Sequence, residues 1–183
     1  ELKQFSATAS RGNGPHALLY LDLDRFKVIN DTLGHHHGDI VLRNISELLS
    51  SRLRETDFIA RIGGDEFSIV LVHLNNVLDA EHVATKILKA LAKPVQADEH
   101  ELFITTSIGV SIYPEHADDP ESLLKKADAA MYQAKAQGRN NYQVYDATMD
   151  LDAERRMTLE GGMRRALERD EFHLLYQPKI DSV

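Results

Sequence analysis

An apolar run from Phe58 to Ile62 leads into Gly63-Gly64-Asp65-Glu66, and a second from Phe67 to Val72 leads out. Paired glycines between two short apolar runs predict a β-hairpin, because glycine supplies the positive φ angles of a tight two-residue turn. The tip carries two consecutive carboxylates, Asp65 and Glu66, which repel each other and add nothing to packing. A cation is expected beside them.

The chain around the hairpin alternates strands and helices. Ala17 to Leu23 (ALLYLDL) is a nearly continuous apolar run, the pattern of a central strand buried on both faces, and it ends in acid at Asp22 and Asp24. Phe26, Ile29 and Leu33 then share a helical face, with Gly34 as a stop. A loop of His35-His36-His37 follows, and Val41, Ile45, Leu48 and Leu49 mark a longer helix running to about Leu53.

Beyond the hairpin strands, about 57–62 and 66–73, Ala80, Ala84, Ile87, Leu88 and Leu91 predict a helix stopped before Pro94. Val95–Ala97 and Leu102–Tyr113 predict a second hairpin turning on Asp98-Glu99-His100, its long arm holding the alternating TTSIGVSIY. Pro120 suits the first turn of a helix that Leu123, Ala127, Met131 and Ala134 continue to Gly138, and Tyr142–Tyr145 predicts a last strand. Residues 1–16 predict the end of a helix and a polar turn.

The resulting order, βααββαββαβ, reduces to βαββαβ once the extra helix and the small hairpin are set aside. That is the split ferredoxin-like arrangement, an antiparallel sheet with helices on one face. The expected fold class is therefore α+β, the palm-like geometry that a polymerase or a nucleotide cyclase uses, in which the first strand and the hairpin are neighbours and Asp22 and Asp65 can converge. Residues 148–183 stand apart. A charged helix is expected from Asp150 to Arg169, with Leu159, Met163 and Leu167 on one face, weakened by about 1 kcal/mol per glycine at Gly161-Gly162. Phe172–Tyr176 then predicts a strand stopping at Gln177-Pro178.

A net charge of −8 argues against binding a nucleic-acid polymer, which calls for a basic face, but not against a single nucleotide held by a few cations and a metal. The absence of cysteine excludes a disulfide framework and a thiolate metal site. No apolar run approaches the roughly 20 residues of a membrane span, and the N-terminus is not expected to carry a signal peptide. The expected compartment is the cytoplasm, including as the cytoplasmic part of a membrane-anchored protein.

Asp22 and Asp24 at a strand end with Asp65 and Glu66 at a hairpin tip make a set of hard oxygen donors. Such a set favours Mg²⁺ or Mn²⁺ and hence phosphate chemistry. For either pair alone the plainer reading is stronger: Asp22 and Asp24 cap the next helix, and Asp65 and Glu66 are solvated turn residues. Lys135 and Arg139, four residues apart at a helix end and so able to point the same way, read by themselves as a solvated basic C-terminus complementing the helix dipole. Arg54-Glu55-Thr56-Asp57 alone is a surface turn with an ion pair worth under about 1 kcal/mol. The three histidines, adjacent in a short loop, point apart and are not read as a metal site.

Taken together, LDLDRFKVINDTLGH, HHGDIVLR, ARIGGDEF, TTSIGVSIYP and LLKKADAAMYQAKAQGRNNY stand in one order and spacing. They resemble the GGDEF family of diguanylate cyclases, which condense two GTP into cyclic di-GMP, and the resemblance covers about residues 16–146. It implies two divalent ions, Mg²⁺ or Mn²⁺, on the Asp22 carboxylate, the Leu23 carbonyl and the Asp65 carboxylate. It implies that Asp65 lies near the attacking ribose 3′-hydroxyl and helps to deprotonate it, with Glu66 in the same site. Asn30 and Asp39 would read guanine, and backbone N–H groups around Phe26 and Lys27 would cradle phosphate at a helix start. Gly63 and Gly64 would leave room for the nucleotide, and Lys135 and Arg139 would meet the triphosphate. Arg54 and Asp57 match an inhibitory RxxD site for the cyclic di-GMP product, with Lys86 where a second arginine often stands; lysine lacks the arginine fork.

The resemblance further implies that catalysis needs a homodimer, one GTP per subunit. The tail, MTLEGGMRRALERDEFHLLYQPKID, resembles the opening helix and first strand of an EAL phosphodiesterase domain, without that domain's signature. The expected organisation is a GGDEF domain over residues 1–147 and the start of an EAL domain over 148–183, with the family's usual leading segment missing, as in a piece of a larger regulator. Two other function classes remain open at this point: a catalytically silent GTP-sensing module that tunes an adjacent EAL domain, and a receptor for the product.

Overall fold

The computed structural model describes residues 14–150, 159, 162, 163, 165–167 and 169–176. The chain divides into two compact units between Met149 and Asp150. The first unit runs β1 His16–Leu23, α1 Phe26–Leu33, α2 His35–Ser50, β2 Phe58–Gly63, β3 Glu66–Leu71, α3 Val77–Leu91, β4 Val95–Ala97, β5 His100–Leu102, β6 Thr106–Tyr113, α4 Pro120–Ala136 and β7 Tyr142–Val144. Its main sheet has the order β2-β3-β1-β6-β7. Every pairing is antiparallel except β6 with β7, which is parallel and makes the sheet mixed. The order β2-β3-β1-β6 is that of the expected palm, and α4 is the crossover helix the parallel pair requires.

Helices cover both faces of the sheet, not one. Alternate residues of β1 point to opposite sides. Ala17, Leu19, Leu21 and Leu23 join α2 and α3 in one core, whereas Leu18 and Tyr20 join Leu123, Ala127 and Met131 of α4 in a second. The helix that follows β6 therefore fills the face that a ferredoxin-like sheet would leave bare. The edge strand β2 is largely exposed along its length.

Three local features differ from the sequence reading. The histidine run is not a loop: Gly34, at φ 87°, ends α1 and begins α2 in one residue, so His35–His37 form the first turn of α2. The His37 imidazole Nδ1 lies 2.8 Å from the Leu33 carbonyl, closing that corner. The second hairpin turns on Asp98-Glu99 in a separate two-stranded sheet, and its long arm breaks at residues 103–105. There the chain crosses to the main sheet, where the Thr105 carbonyl accepts the Asp24 N–H at 2.9 Å.

In the second unit, the described residues Leu159, Gly162, Met163 and 165–167 are helical, and the rest of the predicted 150–169 helix lies outside the described residues, as do residues 1–13. Phe172–Tyr176 is not a strand; all of it is exposed and none of it pairs with another strand, and a strand exists only by its ladder. No helix among the described residues is long and apolar enough to cross a membrane.

Candidate nucleotide and metal site

The packing stripe of α4, Leu123, Ala127 and Met131, advances four residues at a time, and the next member is Lys135. It lands where β1 ends, with Lys135 Nζ 2.7 Å from Asp22 Oδ2. That carboxylate is 15% exposed. Burial is the largest influence on it and raises its pKa; Lys135 pulls the other way, and the charges of Asp65 and Asp24 push it further up. The net direction is upward, so the ammonium compensates only in part.

The hairpin tip sits beside this carboxylate. The β2–β3 register pairs Gly63 with Glu66, which makes Gly64-Asp65 the two-residue turn. Of the two glycines only Gly64 has positive φ, at 53°, and Gly63 is a strand residue after a bulge at Ile62. Arg61 Nε donates to the Gly64 carbonyl at 2.9 Å, and the Leu23 N–H donates to the Asp65 carbonyl at 3.2 Å. Asp22, Leu23 and Asp65 are thus held together by backbone.

Glu66 lies opposite Asp22 in the ladder and diagonal to Tyr20 on the same face. Burial, then the hydrogen bond and charge of Glu66, pushes the Tyr20 phenol well above its ordinary value. Desolvation and the Glu66 charge likewise raise Asp128 on α4. Tyr20 and Asp128 also line a cleft of about 540 Å³ with Asp119, Glu121 and Lys125. From sequence Tyr20, in an apolar strand run, takes the default of core or rim packing, and an acid on a helix such as Asp128 carries no signal alone.

Among the described residues, no three carboxylate or imidazole side chains converge as a metal cage. Two carboxylates and a carbonyl nevertheless fit Mg²⁺, which keeps waters and takes phosphate oxygens in preference to an all-protein shell. The donor set is hard and anionic, and it already draws in a cation, the Lys135 ammonium.

The residues expected to meet the nucleotide fall at the α1–α2 corner. Phe26 is buried and starts α1; the Val28 N–H of its first turn donates to the Arg25 carbonyl at 2.9 Å, and the Phe26 and Lys27 N–H groups precede any acceptor within the helix. Lys27 is exposed, Asn30 half-buried and Asp39 exposed. Gly38, which the sequence reading passed over, is the contact point: a Cβ there would stand 1.9 Å from Asn30 Oδ1 and 3.3 Å from the Phe26 ring. Arg139 does not share the helix with Lys135. The helix ends at Ala136, and Gly138 at φ 109° makes a Schellman turn, with Arg139 N–H to Ala134 and Gly138 N–H to Lys135. That turn, not helical spacing, brings Arg139 Nε to 4.0 Å from Asp24 Oδ1.

The RxxD residues form a closed turn. Asp57 Oδ2 accepts the Arg54 N–H at 2.9 Å, and the Asp57 N–H donates to the Arg54 carbonyl at 3.0 Å. The Arg54 charge helps to lower the Asp79 pKa, although the Asn75 N–H is the larger cause. Lys86 is exposed farther along α3. The structure thus brings Arg54 and Asp57 together and places Asp79, an acid, near them. His36 and His37 face Asp98 at 4.0 and 3.6 Å, and His37 meets His100 edge-on.

The Asp22 environment has a consequence for stability. A carboxylate whose folded pKa exceeds its unfolded value binds more protons in the folded state. Its favourable contribution is full below the ordinary value of about 3.9 and is lost as pH rises through the folded value. Asp22→Asn is therefore expected to raise the melting temperature of metal-free protein at pH 8 and to leave it nearly unchanged at pH 4. A variant less stable than wild type at pH 8 would mean that the Lys135 pair outweighs burial.

Comparison with known proteins identifies the family. Residues 1–141 match the family described as diguanylate cyclase, GGDEF domain. The chain is 41% identical over 179 residues to a bifunctional diguanylate cyclase/cyclic di-GMP phosphodiesterase, MucR of Pseudomonas aeruginosa, covering 98% of this chain and 26% of that protein. It is 38% identical over 168 residues to the cyclic di-GMP phosphodiesterase PdeR of Escherichia coli, covering 92% and 25%. The chain spans about a quarter of the length of these curated relatives. The solved GGDEF domain of TpbB from Pseudomonas aeruginosa superposes with a TM-score of 0.81 at 38% identity, over 84% of this chain and 91% of that one.

Proposed function

The chain belongs to the GGDEF family of diguanylate cyclase domains, and from that premise we propose that it condenses two GTP molecules into cyclic di-GMP. The observation that carries this reading is the juxtaposition of Asp22 with the hairpin turn of Asp65, and Lys135 already seated on Asp22. In a homodimer with one GTP per subunit, the 3′-hydroxyl oxygen of each nucleotide bonds to the α-phosphorus of the other. The α–β phosphoanhydride bond breaks, and pyrophosphate departs with the electron pair. Asp65 receives the hydroxyl proton and passes it to water. Bound at Asp22, the Leu23 carbonyl and Asp65, two Mg²⁺ or Mn²⁺ ions would polarise the phosphoryl oxygens and neutralise their charge. Lys135 and Arg139 meet the triphosphate, with Lys135 exchanging its Asp22 partner for phosphate oxygens. The α1 N-terminus at Phe26 and Lys27 adds backbone donors. Catalysis then rests on positioning and charge more than on covalent help. At Gly63 and Gly64 an added Cβ meets nothing within 4 Å, which supports open space for a ligand beside the turn.

Asn30 and Asp39 read guanine in this proposal, and Gly38 fixes Asn30. Alanine normally stabilises a helix relative to glycine by about 1 kcal/mol. Here the new methyl meets the end of a movable side chain, so Gly38→Ala is expected to fold and to displace Asn30. Loss of one or two base hydrogen bonds weakens GTP binding by about 10- to 100-fold, with little change for ATP. Calorimetric titration with both nucleotides reads the difference, and an unchanged preference for GTP would remove Asn30 from the base site.

A second reading has an observation in its favour, since some similar relatives, PdeR among them, are named as phosphodiesterases. In it the domain binds GTP without turnover and tunes an EAL domain, of which residues 148–183 would be the opening after a GGDEF domain over 1–147. The deciding experiment is a turnover assay with Mg²⁺ and GTP at high protein concentration or with enforced dimerisation. Cyclic di-GMP with two pyrophosphates per product supports the cyclase; tight GTP binding without product supports the sensor. Slowing of the same reaction by added cyclic di-GMP tests the proposed inhibitory site at Arg54, Asp57 and Lys86. The cytoplasm, where GTP is abundant, is the compartment this function requires.

A further inference from the structure

Asp24 stands in the sequence beside Asp22 as one of four acids expected at a cation site, yet its surroundings differ. Its side chain is 3% exposed. Oδ2 accepts Thr105 Oγ1–H at 2.7 Å and the Asn140 N–H at 3.2 Å, while Oδ1 accepts Ser107 Oγ–H at 2.7 Å and lies 4.0 Å from Arg139 Nε. A carboxylate with two oxygens so occupied has little left for a metal ion.

What these contacts hold is a strained segment. Gly138, Arg139 and Asn140 have φ of 109°, 64° and 50°, three consecutive residues in the left-handed region. For residues with a Cβ such a conformation costs of order 1–3 kcal/mol and persists only where the surroundings over-determine it. The Schellman bonds tie this turn to α4, and Asn141 Nδ2 donates to the Ala134 and Arg139 carbonyls at 2.8 and 2.9 Å. The Asn141 carbonyl accepts the Ile108 N–H of β6 at 3.0 Å, and Asp24, one residue past the end of β1, holds Asn140.

We propose that Asp24 is a positioning residue that clamps the left-handed turn Gly138–Asn140 and so aims the Arg139 guanidinium at the nucleotide phosphates. The inference rests on the reading of Arg139 as a triphosphate cation. The carboxylate acts on the main chain through the Asn140 N–H and on the side chain by charge. Asp24 is itself fixed from the opposite side by the hydroxyls of Thr105 and Ser107, so that a pre-set guanidinium loses little freedom when phosphate arrives. Asp24→Asn keeps the shape and one oxygen for the Asn140 N–H, but presents a neutral group, with an N–H₂ at one position, to Ser107 and Arg139.

The test is a double-mutant cycle on the full chain, with GTP affinity measured by calorimetry and guanosine affinity by ligand-observed NMR. Arg139→Ala and Asp24→Asn are each expected to weaken GTP binding about tenfold or more and to leave guanosine unchanged, with the double variant no weaker than Arg139→Ala alone. Equal losses for GTP and guanosine in Asp24→Asn, an Asp24→Asn affinity like wild type, or an additive loss in the double variant would overturn the clamp while Arg139 keeps its role. If Arg139→Ala itself binds GTP like wild type, the triphosphate reading of Arg139 fails, and the clamp with it. Should Asp24→Asn not fold, Thr105→Val with Ser107→Ala frees the carboxylate from its far side. It carries the same expectation: weaker GTP, unchanged guanosine and no further loss on top of Arg139→Ala.

Discussion

Asp65→Ala is expected to yield a folded protein that still binds GTP and forms cyclic di-GMP at least about 10³-fold more slowly, a loss of roughly 4 kcal/mol of transition-state stabilisation. The fold survives because the turn does not depend on this side chain. Positive φ falls on Gly64, and the bond that pins the tip to β1 uses the Asp65 carbonyl, which alanine retains. Stability should hold or rise, since the Asp65 charge is one of those that raise the Asp22 pKa. Removing a mutually repelling acid from a functional site commonly stabilises while it inactivates. Product formation, GTP affinity and melting temperature measured on one preparation separate the roles. A turnover rate within tenfold of wild type would exclude Asp65 from the reaction, and a lost melting transition would make it structural.

The acids and the hairpin were legible in the sequence because their signals are local. A strand running into Asp22 and glycines running into Asp65 each show within a few residues, although either pair of acids by itself reads as helix caps or turn residues until all the motifs stand together. The β2-β3-β1-β6 order followed from the element pattern by general topology. What was not legible depends on contacts between distant segments. Asp24 looks like a second Asp22 until Thr105, Ser107 and Asn140 close around it from the far half of the chain. The three histidines looked like a loop because a single residue, Gly34, ends one helix and begins the next. The turn falls at Gly64-Asp65, one residue later than the glycine pair suggests, because the bulge at Ile62 shifts the register, and a bulge leaves no mark in the amino-acid pattern.

Strand β6 holds the least legible feature and the largest stability effect. Its alternation of Ile108, Val110 and Ile112 with Ser107, Gly109 and Ser111 reads as one buried face and one wet face. Ser107 and Ser111 are instead fully buried, because α4 lies against that side and small residues let it come close. Ser111 Oγ–H donates to the Leu123 carbonyl of α4 at 2.8 Å. A Cβ on Gly109 would stand 1.8 Å from the Ala127 carbonyl oxygen and 2.2 Å from the Met131 nitrogen. These are helix backbone atoms, so no rotamer change relieves the overlap. The whole helix has to lift, which breaks the Ser111 bond, opens the Leu123, Ala127 and Met131 layer and draws Lys135 away from Asp22. Gly109→Ala is therefore expected to destabilise the domain by more than about 4 kcal/mol, beyond the 1–3 kcal/mol of ordinary overpacking. Gly63→Ala, where the added methyl meets nothing and φ is not positive, should retain the wild-type denaturation midpoint. Urea denaturation of the two variants side by side makes the comparison, and a Gly109→Ala midpoint close to that of Gly63→Ala would mean that α4 does not seat on β6 through this glycine.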